Sequence, residues 1–322
     1  MGTKANKKIV KIFGRSSAVN ILNRGGTEEI AKYFVDTHHA EIITEENLKF
    51  ADLLRIVRSN NLNLILLGAS KITSIKIFIY SFLSKNAAEI TYIKTSNVTN
   101  KKDLIIRFLL MNVFKKINVM DLDKNYFSMF PSFRYKTLSI ASIIHSNWSM
   151  NEKKYDFQSN KIRPIDIAYV GRIDYEKGFF EALKILESKK FQNYKKLIDL
   201  LLWNTEVESQ ILQQIKDNNY KNLEIKLTQK NTKSPPEYHN IKCLILPYNS
   251  FNSTIRIPLV IFEALYAECY VFLPAWIKKD KSVANLIYEF QNLINVSNNV
   301  IFYDTTSENC SSFLVKKINE II

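Results

Sequence analysis

Glycine is scarce in this chain, with seven residues among 322. Loops that depend on glycine's backbone freedom are therefore few, and two glycines close together mark a place to look. Cysteine is scarcer still. Cys243, Cys269 and Cys310 are odd in number, far apart and without C-x-x-C spacing. That excludes a disulfide framework and a structural zinc site, and it fits a reducing cytoplasm. The four histidines, His38, His39, His145 and His239, are scattered without metal-ligand spacing. No P-loop, G-x-G-x-x-G or Ser-His-Asp arrangement occurs. No apolar run reaches the roughly 18 residues of a spanning helix. The basic start MGTKANKKIVKIFG has too short an apolar run for a signal-peptide core. The expectation is a cytoplasmic protein, soluble or peripheral on the inner face of the cytoplasmic membrane.

What is present suits a folded protein. Hydrophobic residues make up 46% and charged residues 24%, enough for real cores and too apolar for disorder. The length suits two domains of about 150 residues each. Net charge is +14 and uneven: residues 1–150 carry +11 and residues 151–322 carry +3. A basic first half suggests a polyanionic partner, whether nucleic acid, an anionic membrane face or phosphorylated substrates.

Short apolar strands alternate with helical patterns, the mark of βαβ units around parallel sheets. The first series reads strand KIVKIFG, helix GTEEIAKYFVDTH, strand LNLILLGAS, helix KITSIKIFIYSFLSK, strand ITYIKTS, helix KKDLIIRFLLMNVFKK, strand INVMDL and a last short strand KTLSIASII. A polar stretch, HSNWSMNEKKYDFQSNKIRP, lacks apolar periodicity and reads as a linker. The pattern then restarts at DIAYVG and alternates to the end. These readings predict a first domain over 1–150, a linker over 151–163 and a second domain over 164–322. The architecture expected is two tandem Rossmann-like, doubly wound α/β domains facing across a cleft.

Two of the seven glycines bracket one turn, in IAYVGRIDYEKG (residues 167–178). The strand ends at Gly171 and the helix starts near Gly178, so the loop faces the crevice where such sheets bind ligands. Between the glycines, Arg172 offers a planar fork of donors and Lys177 a mobile point charge, a pair suited to a diphosphate. Taken alone, the loop reads equally as a turn with solvated charges. A second stretch bears on it: ILPYNSFNSTIRIPLVIFEALYAECYVFLPA, residues 244–275. Pro258 suits a first helical turn, which puts Glu263 in the second turn. A carboxylate there can accept hydrogen bonds from vicinal hydroxyls, as on a ribose. The free amides at the start of that helix, around Leu259, would favour a phosphate.

In this order and spacing, VGRIDYEKGFFEAL followed by LPYNS and PLVIFEALYAECYVFLPA resembles the donor half of glycosyltransferase family 4, retaining enzymes of the GT-B fold. That family's pattern is a V-G-R-x-x-x-x-K-G loop, a proline-ending strand, and E-x7-E on the next loop and helix. The likeness covers most of 164–322. It extends more weakly to the first half, where NRGGTEEIAKYF resembles the family's G-G loop and IIHSNWSMN its closing segment. The resemblance implies that Arg172 and Lys177 hold a nucleotide sugar's diphosphate and stabilise the leaving group in place of a metal ion. It implies that Glu263 binds the ribose, that Gly25 and Gly26 let a loop approach the donor, and that Gly171, Arg256 and Leu259 line the donor site. No metal or other cofactor is expected. The acceptor implied is a glycan or a polyprenyl-linked glycan, in O-antigen, capsule or lipopolysaccharide assembly.

The sequence also departs from that pattern. Ile255 stands where the first glutamate would contact the donor sugar, and Pro258 replaces a glycine; Arg256 is the nearest polar side chain that can substitute. The family's first-domain histidine is absent near ITYIKTS, where Lys94, Thr95 and Ser96 stand. The alternative reading is therefore a degenerate GT-B protein that binds nucleotide or a partner without catalysis. Asp121 and Asp123 form a D-x-D triplet of the kind that holds a cation in metal-dependent transferases, but a triplet this short arises by chance. KKDLIIRFLLMNVFKK reads as a helix packed on the first sheet. A mixed role would leave Lys101, Lys102, Lys115 and Lys116 facing anionic lipid headgroups. Nucleic-acid binding has no recognised module to support it.

Overall fold

The computed structural model describes residues 8–21, 26–85, 87–94, 101–122, 134–152, 163–202, 206–217, 223–229, 237–251, 258–296, 298–307 and 309–322. They fall into a first unit through Met150 and a second from Asn151.

The first unit contains β1 (Ile9–Gly14), α1 (Ser16–Val19), α2 (Gly26–His38), β2 (Glu41–Thr44), α3 (Phe50–Val57), β3 (Leu62–Leu67) and α4 (Lys71–Leu83). It continues with β4 (Glu89–Ile93), α5 (Lys101–Asn112), β5 (Asn118–Asp121), β6 (Tyr135–Thr137) and α6 (Ile140–Glu152). Six parallel strands lie in the order β2-β1-β3-β4-β5-β6. The central strand LNLILL is buried along most of its length, the unbroken apolar run that a sheet covered on both faces requires. Leu64, Leu66 and Ile90 pack against Ile77 and Phe78 of α4 and Leu110 of α5 on one face. Helix α4 starts cleanly because Ser70, at its N-cap, accepts a hydrogen bond from the Thr73 amide at 3.2 Å.

The second unit contains β7 (Ile165–Gly171), α7 (Phe179–Glu187), β8 (Lys196–Leu202), α8 (Glu206–Asp217), β9 (Leu223–Gln229), β10 (Ile241–Ile245) and α9 (Leu259–Tyr266). β11 (Tyr270–Pro274), α10 (Ala275–Lys279), α11 (Lys281–Leu293), β12 (Val300–Tyr303) and α12 (Cys310–Ile321) complete it. Its parallel sheet runs β12-β11-β10-β7-β8-β9. In chain order within the unit this is 3-2-1-4-5-6, the doubly wound arrangement whose strand order reverses between its first and fourth strands. Here those strands are β7 and β10, paired with Cys243 opposite Ile167. Cys243, Cys269 and Cys310 are all free.

The expected α/β class with two doubly wound units is what the structure has. Two local readings need correction. KTLSIASII is not a strand: β6 ends at Thr137 and α6 runs on to Glu152, through the first eight residues of the stretch read as a linker. The helical period hides because Ile140, Ile143 and Ile144 are followed at the next inward position by Asn147. That side chain is 3% exposed and satisfies itself by donating to the backbone carbonyl and carboxylate of Glu29 on α2. The sequence pattern does not show the short elements α1, β2, α3 and α10. Residues 153–162, in the rest of the expected linker, lie outside the described residues.

Candidate functional site

The loops leaving β7 and β10 stand side by side at the strand reversal of the second sheet, and their backbones are locked together. The carbonyl of Glu176 accepts hydrogen bonds from the amides of Asn249 (3.1 Å) and Ser250 (3.3 Å). The Asn249 side-chain amide donates to the Tyr175 carbonyl (2.8 Å) and the Glu181 carboxylate (3.0 Å). The Ser250 hydroxyl donates to the Glu176 carboxylate. At the centre of the lock is Gly178, at the N-cap of α7 with φ +72°. A Cβ there would lie 1.8 Å from the Pro247 carbonyl oxygen. Only glycine permits both the left-handed backbone and that approach.

Within the β7 loop, Asp174 sets the shape. One carboxylate oxygen accepts from the amides of Glu176 (2.8 Å) and Lys177 (3.4 Å), and the other lies 3.6 Å from the Arg172 guanidinium. At the loop's start the buried Tyr169 hydroxyl donates to the Arg172 carbonyl at 2.9 Å. That hydroxyl occupies the space a Cβ on Gly171 would need, at 2.7 Å. Arg172 and Lys177 are thereby carried on a braced turn at the mouth of α7, where helix amides already favour an anion.

Lys177 is half-buried, with its ammonium 5.4 Å above the centre of the Tyr248 ring. Burial and the neighbouring Arg172 lower its pKa to about 7, against the opposing pull of Asp174. Tyr248 in turn is buried under this cluster. Burial raises its hydroxyl pKa, the charge of Glu263 adds to the rise and Arg172 opposes it. One tyrosine therefore senses all three expected side chains. Trp276 donates from its ring nitrogen to the Tyr248 carbonyl at 2.9 Å, and Phe251 packs against both rings.

Glu263 is the one charged residue of α9, whose other side chains are mainly buried and apolar. Its carboxylate accepts a hydrogen bond from the Tyr238 hydroxyl at 3.0 Å, and Tyr238 is itself fully buried. A half-buried carboxylate on an apolar, packed helix is costly unless it is hydrogen-bonded, and the Tyr238 hydroxyl supplies such a bond and fixes its direction. Leu259 is the first residue of that helix, directly after Pro258.

So the structure gathers Gly171, Arg172, Lys177, Leu259 and Glu263 around the loops and helices at one strand reversal. Ile255 and Arg256 lie outside the described residues, as do Gly25, Thr95, Ser96 and Asp123. Gly26 opens α2 in the first unit. Lys94 follows β4 and is buried, and Asp121, 2% exposed, ends β5. Among the described residues no group of three His, Cys, Asp or Glu is placed to share a metal ion. Three contributors were not anticipated. Asp174 carries a local signal, an aspartate two residues before a turn's amides. Tyr238 and Tyr248 carry none, because their roles come from distant strands.

The first sheet has its own strand reversal, between β1 and β3, and there the chain supplies the anions itself. Glu46 accepts from the Ser16 amide at the start of α1 (2.9 Å). Glu45 accepts from the Ser70 amide (2.8 Å) and hydroxyl (2.6 Å) at the start of α4. Burial pushes the Glu45 carboxyl up, but hydrogen bonds from Ser70 and Thr73 outweigh it and hold the pKa low. A second anion is disfavoured at these helix starts, in contrast to the cationic mouth of α7.

No protein-family model matches the sequence, and no curated protein does. Solved structures do resemble it. HepE from Anabaena, in complex with UDP and glucose, aligns with 97% of this chain and 89% of its own at 12% identity and a TM-score of 0.57. A glycosyltransferase from Rickettsia africae aligns over 98% and 89% at 11% identity and 0.56. The UDP-GlcNAc 2-epimerase of Neisseria meningitidis, bound to UDP-GlcNAc, aligns over 97% and 100% at 11% identity and 0.51. At these identities the likeness establishes the fold: two Rossmann-like units of the GT-B type.

Proposed function

We propose that this chain is a glycosyltransferase that takes a sugar from a nucleotide-sugar donor, with the donor's nucleotide held in the second unit. Arg172 and Lys177 clamp the diphosphate and stabilise it as leaving group, and Glu263 receives the ribose hydroxyls. The observation that carries the reading is the pairing of a cationic turn with a tyrosine-aimed carboxylate at the reversal of a 3-2-1-4-5-6 sheet. That is where such sheets bind nucleotides, and the two loops are held in register by Gly178 against Pro247. Developing negative charge on the leaving diphosphate is met by preset cations. The reading extends to a family 4 type enzyme acting with retention and without a metal, on a glycan or polyprenyl-linked acceptor bound by the first unit. Cell-surface polysaccharide assembly is the role that suits such an acceptor.

A thermal-shift panel of UDP, GDP, ADP and CMP compounds tests the nucleotide, because a ligand that binds the folded state raises its stability by mass action. Arg172→Ala with Lys177→Ala should abolish the shift and reduce transfer by at least about a hundred-fold, since each charged contact contributes about 1.5–3 kcal/mol. Unchanged turnover in the double variant would end the assignment. The presence of Ile255 favours one second reading, a nucleotide-binding protein without transfer. A nucleotide shift with neither hydrolysis nor transfer across a donor panel would select it.

A further inference from the structure

We infer that the outer face of α4 and α5 is a docking surface for an anionic phospholipid membrane. Helix α4 is apolar on both sides. Ile77 and Phe78 point into the core, while Ile79, Phe82 and Leu83 are exposed, Leu83 at 73%. Helix α5 repeats this: Ile106 and Leu110 are buried, and Leu104, Ile105 and Phe108 are exposed, Phe108 at 62%. Phe82 reaches Phe114, just beyond α5, with ring centres 6.2 Å apart, so the two helices form one patch. Among the described residues of the first unit, every large exposed hydrophobic except Ile9 lies on these helices or in the turn after α5. In the second unit such residues are dispersed over several elements. A surface helix normally turns a polar face outward, and a contiguous exposed apolar patch marks an interaction surface.

Charge selects the occupant. Residues 71–116 contain nine Lys and Arg, of which Lys94 is buried, and two acids. One acid, Glu89, is already occupied by Lys8 at 3.0 Å and by the Asn118 amide. Lys76, Lys85, Lys115 and Lys116 are exposed beside the apolar side chains. A second copy of this chain meeting the patch through a two-fold axis would set these cations against themselves. Anionic headgroups satisfy the cations while Leu83, Phe108 and their neighbours enter the acyl boundary, as amphipathic surface helices do. No helix among the described residues is long and apolar enough to cross a membrane, so the contact lies on the surface. The patch is anchored from behind by Arg134. It is 5% exposed and donates to the carbonyls of Leu110 (2.9 Å), Phe114 (3.0 Å) and Ile117 (2.9 Å) at the C-terminal end of α5.

The experiment is co-sedimentation of the full chain with vesicles of phosphatidylcholine alone and of phosphatidylcholine with phosphatidylglycerol, alongside sedimentation velocity without lipid. The wild type should bind the anionic vesicles and bind the neutral ones at least ten-fold more weakly. Leu83→Ser with Phe108→Ser should weaken anionic binding at least ten-fold with the melting temperature unchanged, because both side chains are solvent-exposed. Each of Lys76→Gln, Lys115→Gln and Lys116→Gln should weaken it about five-fold, from about 1 kcal/mol per basic residue near an anionic surface. Wild-type binding by the double serine variant would overturn the inference, as would equal binding to neutral vesicles. So would a dimer that the serine variant makes monomeric while no vesicle binding occurs. Nucleotide-induced thermal shifts read the sugar-transfer proposal separately, so failure of either leaves the other standing.

Discussion

Lys177 should make donor binding depend on pH in a direction the site dictates. Its ordinary pKa of 10.5 falls to about 7, first through burial and then through Arg172. At about 1.4 kcal/mol per unit, that is roughly 5 kcal/mol against the charged form. The figure is an upper bound, because part of the side chain reaches solvent. The folded value lies below the unfolded one, so the unfolded chain holds more protons between pH 7 and 10.5 and stability rises with pH across that window. A diphosphate reverses the balance. It favours the ammonium and returns the pKa upward, so binding above pH 7 requires a proton to be taken up. At pH 8 a group of pKa 7 is about one-tenth charged, giving an uptake of close to 0.9 proton per donor bound. Affinity should be flat below about pH 6 and weaken about fifty-fold from pH 7 to 9. Isothermal calorimetry with a nucleotide sugar, in buffers of different ionisation enthalpy, reads both quantities. The two phosphates of such a donor are diesters and do not titrate in this range. Lys177→Met should bind weakly with no slope. A flat affinity and no proton uptake in the wild type would refute the reasoning, as would the same slope in Lys177→Met.

Three further perturbations test separate joints of the structure. Gly178→Ala must place a Cβ 1.8 Å from the Pro247 carbonyl in a left-handed backbone; urea melts should show a loss of about 3 kcal/mol or more, and nucleotide shifts should vanish. Tyr238→Phe removes the hydrogen bond that aims Glu263; binding of a ribonucleotide should weaken about five-fold, from about 1 kcal/mol per hydrogen bond, while a 2′,3′-dideoxy analogue should bind the variant and the wild type alike. Arg134→Ala leaves the carbonyls of Leu110, Phe114 and Ile117 without their guanidinium; chemical denaturation should register a cost of about 2–4 kcal/mol, with nucleotide binding retained.

The second unit was legible because its strands are short apolar runs cut by charged turns, and the turn IAYVGRIDYEKG names its own loop. What could not be read there is what comes from elsewhere. Tyr238 and Tyr248 look like ordinary aromatics until the sheet brings them under Glu263 and Lys177. The first unit was harder for a different reason: Asn147 sits inside, while Leu83, Phe108 and their neighbours sit outside. Asn147 occupies an inward helical position and conceals α6. The run DLIIRFLLM reads as a helix packed on the sheet, and one side of it is. Only the structure separates Ile106 and Leu110, which are buried, from Leu104, Ile105 and Phe108, which are not. Periodicity reports the spacing of apolar residues, and a helix apolar on all sides does not say which face is covered.

On the proposed reading, the nucleotide and the sugar of a donor would be read by different parts of this chain, and they need not stand or fall together. The proposed diphosphate clamp rests on backbone geometry: Asp174 turning the loop, Gly178 meeting Pro247, and Asn249 tying one loop to the other. None of these contacts depends on the identity of residue 255. The sugar is the part that a carboxylate at that position would address, and isoleucine neither donates nor accepts a hydrogen bond. A hydroxyl set against it loses its partner, whereas an apolar or deoxygenated ring face does not. Discrimination of that kind is large when a site is built to pair a hydroxyl and small when it only adds or omits a methylene. A retained clamp beside an altered sugar contact therefore predicts a chain that keeps nucleotide affinity and changes, or gives up, the sugar it would move. A binding assay on nucleotides alone reports the clamp, and only a donor panel reports the consequence of Ile255.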